Sequence, residues 1–290
     1  MARLKPMTLA GTIVVLLSAL AVTGCGGGGK SSATTSATTT SGGASIPAPS
    51  SIKSAGTLVF CSDITYPPEE SYKAGTTTPE GSDIDIGSDI AKRMGVKARF
   101  DNTGFDGIIA ALLAKKCNAI ISGMNDTPER RKQVSFVDYI KVGQSIMVKA
   151  GNPEHINSLA SLAGKSVAVE VGTTNKTFLD EASKKLKAQG KSAIKVTPFP
   201  KDTDAAAALK TGRVDAYFGD SPVVAYYIQK DKAFGFGGAP INPILVGIAI
   251  RKDDTATKSG VQKAINAMYK DGTMKKILAR WKMTATALKK

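Results

Sequence analysis

Four short stretches carry residues whose types and spacing could grip a small ligand. In Asp126-Thr127-Pro128-Glu129-Arg130-Arg131, Thr127 suits a helix N-cap, Pro128 the first helical position and Glu129 the positive end of the dipole. Arg130 then projects from the first turn, just past an apolar run. A guanidinium there can hold a carboxylate in bidentate fashion. Arg131 reads as a surface arginine. In Gly172-Thr173-Thr174-Asn175, free N–H groups and a hydroxyl at a strand-to-helix turn form an anion site, or else a plain threonine cap. In Gly219-Asp220-Ser221, Asp220 ends an apolar run. A buried acid needs a partner, which a ligand ammonium supplies, but Asp220 would equally serve as N-cap of the helix that follows. Tyr66, in Asp63-Ile64-Thr65-Tyr66-Pro67-Pro68, and Phe105 also follow apolar runs. Two rings in such places can clasp a side chain or simply pack a core.

A fifth stretch is misleading. Gly24 to Ser31 satisfies G-x-x-x-x-G-K-S, the phosphate-cradling loop. Such a loop needs a helix after Lys30, and the polar tract that follows has no helical period. A leader fits both flanks: Arg3 and Lys5, an apolar run from Leu9 to Val22, then small residues. The run is short for a membrane span of about 20 residues. Val22-Thr23-Gly24-Cys25 resembles the bacterial lipobox, in which the cysteine is lipidated and becomes the first mature residue. Cleavage there would remove residues 1–24 and dissolve the phosphate-loop pattern.

Of the 290 residues, 39 are Lys or Arg and 24 Asp or Glu, giving a net charge of +15. Loss of Arg3 and Lys5 with the leader lowers it by two. The lysines are scattered, and no arginine–aromatic interleaving marks a nucleic-acid surface. The single histidine, His155, and the absence of Cys-x-x-Cys argue against a metal centre or a histidine-based triad. Residues 25–51 are rich in Gly, Ser, Thr, Ala and Pro and read as a tether beginning at Cys25, with a span of roughly 25–30 Å.

These residues must be positioned by an α/β scaffold. Apolar runs at 57–63, 97–103 and 119–124 read as strands, and 82–95 and 105–117 as helices between them. The phrase "FDGIIAALLAKKCNAIISG" (105–123) recurs as "TDAAAALKTGRVDAYFGD" (203–220). In both, a helix with Ala-Leu leads six residues on to Asn/Asp-Ala and an apolar strand. Two similar lobes with parallel sheets follow from the repeat, and ligands in such sheets bind beyond strand C-termini.

In order along the chain, "YPP", "GSDIDIGSDIAKRMG", "FDGIIAALLAKK", "GMNDTPERRKQVSFVDY", "SLAGKSVAVEVGTT", "GRVDAYFGD" and "KDGTMKKILARW" resemble the extracellular solute-binding proteins, family 3, of ABC importers. The resemblance covers roughly residues 52–285. It implies the type II periplasmic-binding fold: lobe 1 from 52–145 plus 246–290, lobe 2 from 146–245, and hinge crossings near Ser145–Met147 and Ile241–Gly247. It implies no cofactor, and a monomer serving membrane permease subunits from a lipid anchor at the outer face of a membrane. By the same resemblance, Arg130 binds an amino acid's α-carboxylate with the N–H groups of Asn125 and Thr174, beside Thr173. Asp220 binds the α-ammonium with the Ser122 carbonyl, and Tyr66 and Phe105 line the side-chain pocket. Gly123 departs from a serine used by some relatives, and Glu69 stands where an aromatic usually follows the proline pair. Asp63, Glu69 and Glu170 tilt the pocket towards a basic amino acid. The competing class is an enzyme of the cyclohexadienyl (prephenate or arogenate) dehydratase type, with Glu69 or Glu170 as general acid; the pattern offers it no second catalytic partner. Finally, Cys61 lies near the end of its strand and Cys117 before the start of a neighbouring one. On an extended ladder that separates them by ~13 Å, and a disulfide needs about 7 Å. Two free, buried thiols are expected.

Overall fold

The computed structural model describes residues 46–289. The expected leader, the Cys25 lipidation site and most of the expected tether lie outside them. The chain runs through α1 (Ser50–Ala55), β1 (Thr57–Ser62), β2 (Ser71–Tyr72), β3 (Pro79–Glu80), α2 (Ser82–Arg93), β4 (Lys97–Asn102), α3 (Ile108–Leu113), β5 (Ala119–Ile120), α4 (Pro128–Arg131) and β6 (Val134–Lys149). It continues through β7 (Ser166–Glu170), α5 (Thr174–Ala188), β8 (Lys195–Phe199), α6 (Asp202–Lys210), β9 (Ala216–Asp220), α7 (Ser221–Lys230), β10 (Phe234–Phe236), β11 (Ile241–Arg251), α8 (Thr255–Lys270) and α9 (Thr273–Arg280).

One sheet organises the molecule, in the order β4-β1-β5-β11-β6-β9-β7-β8, with β10 also on β6. β1 is parallel to β4 and β5, and β7 is parallel to β8 and β9. The long strands β6 and β11 are antiparallel and join these two parallel halves, with register breaks between Ile241 and Ile244 and between Val246 and Gly247. Alternation along each strand covers both faces. Leu58 and Phe60 enter a core with α2, α8 and α9, while Val59 and Cys61 face α3. In the other half Val167 and Val169 pack towards α5, and Ala168 towards α6 and α7. Each half is therefore a mostly parallel sheet with helices on both sides, as the repeat implied.

Three expectations need correction. Cys61 and Cys117 are buried but not free: they form a disulfide, with Cα atoms 5.6 Å apart. The ~13 Å estimate assumed extended chain on both sides. Instead the chain turns at Lys115, whose φ is +60°, and Asn118 bonds both N–H and C=O of Val59, which folds Cys117 back against β1. The helix expected over 105–117 is shorter, a 3-10 turn at Phe105–Gly107 followed by α3. The last residues of the expected tether are also structured. Ile46 is buried in the first core, its N–H donates to the Arg93 carbonyl, and α1 starts at Ser50. Burial of Ile46 holds the end of the polar tract against the core.

Candidate functional site

Arg130 is set by its helix start. The Thr127 hydroxyl accepts the Arg130 N–H at 3.2 Å and Pro128 opens α4, as the sequence indicated. Its guanidinium is buried, stacks at 5.3 Å on the Phe105 ring, and donates to the carbonyls of Asn125 (2.8 Å) and Gly172 (3.2 Å). The second carbonyl belongs to the opposite half of the sheet. Burial pulls Arg130 down to about 10, against the nearby charge of Asp220.

Asp220 precedes α7 but does not cap it through its side chain. Its carboxylate accepts from the side-chain amides of Asn125 and Asn175, each at 3.2 Å, and its own N–H donates to the Tyr66 hydroxyl. Burial raises its pKa to about 6, opposed by those amides and by Arg130. Asn125 also accepts from the Thr174 hydroxyl. Thr173 is occupied locally: its hydroxyl caps α5 through the Lys176 N–H and donates to the Glu170 carbonyl. A relay of amides stands behind Asp220. Asn242 donates to Gln144 (2.8 Å), and Gln144 to Asn175 (2.6 Å).

Ser122 accepts the Asp63 N–H and donates to Glu70. Gly123 has φ +47°, donates to Asp83, and lies under Tyr66: a Cβ there would meet two ring carbons at 3.0 Å. The positive φ and the ring overhead both favour glycine at this position. Asp63 accepts from the Thr65 hydroxyl and the Phe105 N–H, both at 2.8 Å, and burial pushes its pKa upward.

The structure links Arg130, Asn125, Thr174, Asp220 and Tyr66 by hydrogen bonds across the two halves and buries Asp63, Glu69 and Glu170 near them. It adds acids that the sequence did not single out. Asp202, the first residue of α6, receives the hydroxyls of Tyr217 and Tyr227, and burial lifts it to about 7. Glu170 lies near Asp63 and is pushed well up by burial and by the charges of Asp202 and Asp63. Glu69 is pushed well up by burial and by Asp83 and Asp220. Glu70 and Asp83 lie beneath Gly123, fully buried. The sequence signals for these were faint: an acid in a helix's first turn, and a second glutamate after the proline pair.

A cavity of about 420 Å³ opens beside Arg130, Thr173 and Thr174. A larger one, about 600 Å³, lies behind the crossing strands among Val142, Pro240 and Leu288. The buried charges gather at the cleft and not in the larger cavity. No group of metal-ligating side chains that could hold an ion occurs among the described residues, and no helix among them is long and apolar enough to cross a membrane.

The family model for bacterial extracellular solute-binding proteins, family 3, matches residues 58–284. The ABC transporter arginine-binding protein 1 of Escherichia coli K12 is 31% identical over 222 residues, covering 75% of this chain and 87% of that protein. An ancestral arginine-binding protein solved with arginine is 37% identical with a TM-score of 0.72, covering 78% of this chain and 98% of that one. The ancestral amino acid-binding protein AncCDT-1, a precursor of cyclohexadienyl dehydratase, is 35% identical with a TM-score of 0.73, covering 80% of this chain and 97% of that one.

Proposed function

Because the chain belongs to the bacterial extracellular solute-binding proteins, family 3, we propose that it is the substrate-binding component of an ABC importer for a basic amino acid. The observation that carries this reading is the pairing of two buried opposite charges from the two halves of the sheet, Arg130 and Asp220, in a cleft otherwise rich in carboxyls. Arg130 takes the α-carboxylate, with the N–H groups of Asn125 and Thr174. Asp220 takes the α-ammonium, with the Ser122 carbonyl. Tyr66 and Phe105 flank the side chain, and Asp63, Glu69 and Glu170 favour a cation at its end.

Residues 52–145 with 246–290 form lobe 1, and 146–245 form lobe 2. They close by hinge motion in β6 and β11, and the closed form presents the ligand to the permease as a monomer. Export and a lipid at Cys25 keep the protein at the outer face of the membrane. The reading involves binding without chemistry. A dehydratase would draw on Glu69 or Glu170 as general acid. Both are pressed towards the protonated form by burial and by surrounding carboxyls, and neither is given a basic partner to return the proton.

A thermal-shift screen of the full chain against the twenty amino acids, ornithine, citrulline, cystine and prephenate tests this. A ligand at 100 times its dissociation constant adds about 2.7 kcal/mol, a rise of several degrees. A shift with arginine, lysine or ornithine is expected. No shift with any amino acid, or turnover of prephenate, would refute the reading.

A further inference from the structure

The two ends of the cleft differ in what closure brings together. At the end that holds the amino-acid head, the hydrogen bonds between the halves are matched donor to acceptor, against one like-charge approach of Glu69 to Asp220. Arg130 donates to the Gly172 carbonyl and faces Asp220, Asn125 donates to Asp220, Thr174 donates to Asn125, and the Asp220 N–H meets the Tyr66 hydroxyl. That end is self-complementary before any ligand arrives.

The far end is the reverse. Asp63 belongs to the β1 half, while Glu170 and Asp202 belong to the β7 half. Closure brings three carboxyls into one buried cluster. Its attractive contacts across the halves are the Asp202 N–H on the Thr65 hydroxyl (3.3 Å) and the charge of Lys201, which favours ionised Asp63. Glu170 Oε1 is buried and has no hydrogen-bond partner. Each oxygen of Asp63 and Asp202 takes a single donor and has a lone pair to spare. Like charges held this close in a buried site disfavour one another strongly.

Resting on the binding role proposed above, we propose that the cation at the far end of the ligand's side chain, not its amino-acid head, licenses closure. Asp63 opposes Glu170 and Asp202 as the halves approach, and a multi-donor cation seated among the three cancels that opposition. Glu170 and Asp202 are then specificity-determining residues. They exclude neutral side chains by keeping the cleft open rather than by shape.

The test compares L-arginine with L-citrulline, which has the same length and a neutral urea in place of the guanidinium. Affinity is read by calorimetry on the full chain, and closure by the radius of gyration at saturation. Arginine contracts the wild type. Citrulline binds about 100-fold more weakly or worse and leaves the radius at its ligand-free value. In Glu170→Gln, which keeps the side-chain shape, the arginine-to-citrulline ratio falls about tenfold and citrulline now contracts the protein. Asp202→Asn shifts the ratio in the same direction.

Full contraction of the wild type by citrulline would overturn the proposal, as would an unchanged ratio in Glu170→Gln. If citrulline or glutamine binds as tightly as arginine, the importer role stands and the gating falls. If no amino acid binds, both fall.

Discussion

Arg130→Ala bears most directly on the binding reading. The side chain is 9% exposed and makes two hydrogen bonds to carbonyls plus a ring contact with Phe105. With ligand bound, it would face a desolvated carboxylate. Removing one member of a buried charge pair costs about 3–5 kcal/mol, because the other is left uncompensated. At 1.4 kcal/mol per decade, affinity falls by about 150- to 4,000-fold. The ligand-free protein loses less, since the carbonyls of Asn125 and Gly172 can be rewetted as the cleft opens. Isothermal titration with the amino acid giving the largest thermal shift measures the effect. Arg130→Lys keeps the charge but not the fork, so its loss should fall between wild type and Arg130→Ala. Raising the salt concentration should change the difference little, because the pair is buried. An Arg130→Ala dissociation constant within about threefold of wild type would refute the assignment.

Other consequences can be measured independently. Asp83 and Asp220 sit at about 6 and Asp202 at about 7, with Glu69, Glu70 and Glu170 also raised, so the folded state holds protons that the unfolded chain releases near pH 4. That stability is complete below pH 4 and lost as pH rises through 6 to 7. Without ligand, Glu70 and Asp83 keep their burial, since their partners Ser122, Gly123 and Tyr139 share their half, and the melting temperature they contribute should fall from pH 5 to pH 8; a rise over that range would contradict their burial. Gly123→Ser puts a Cβ at φ +47° against Tyr66, which should cost about 1–2 kcal/mol of stability and weaken ligand binding; unchanged melting and affinity would show that the ring yields freely. Replacing both Cys61 and Cys117 by alanine opens a link spanning 56 residues and should cost about 2–4 kcal/mol in a denaturant titration. Thiol titration of the unfolded, unreduced protein should find neither of these cysteines free.

What the sequence made legible was local. Thr127 and Pro128 announced α4, and with it the place of Arg130. The alternation of Leu58 and Phe60 against Val59 and Cys61 marked a strand covered on both faces. The repeat of helix, Ala-Leu and strand pointed to two similar halves. What stayed hidden depends on distant chain meeting. Asp202 looks like an ordinary first-turn acid until the Thr65 hydroxyl meets its N–H from the other half. The cysteine pair was missed because strand spacing was extended through residues 114–118, where the chain turns at Lys115. Ile46 was lost in a polar stretch because composition averages over the single residue that anchors it.

The amides behind Asp220 have a direction. An ionised Asp220 can only accept, so Asn175 must present its NH2 to it and its oxygen to Gln144. Gln144 in turn must present its NH2 to Asn175 and its oxygen to Asn242. One acceptor therefore fixes the orientation of three side chains on α5, β6 and β11. The two strands that cross between the halves are thereby wired to the ammonium end of the cleft. Deamidation at any link would replace a donor with an acceptor and set two oxygens face to face. Chemical ageing of Asn242, in the crossing strand, would then be felt at Asp220 without any residue in the cleft having changed.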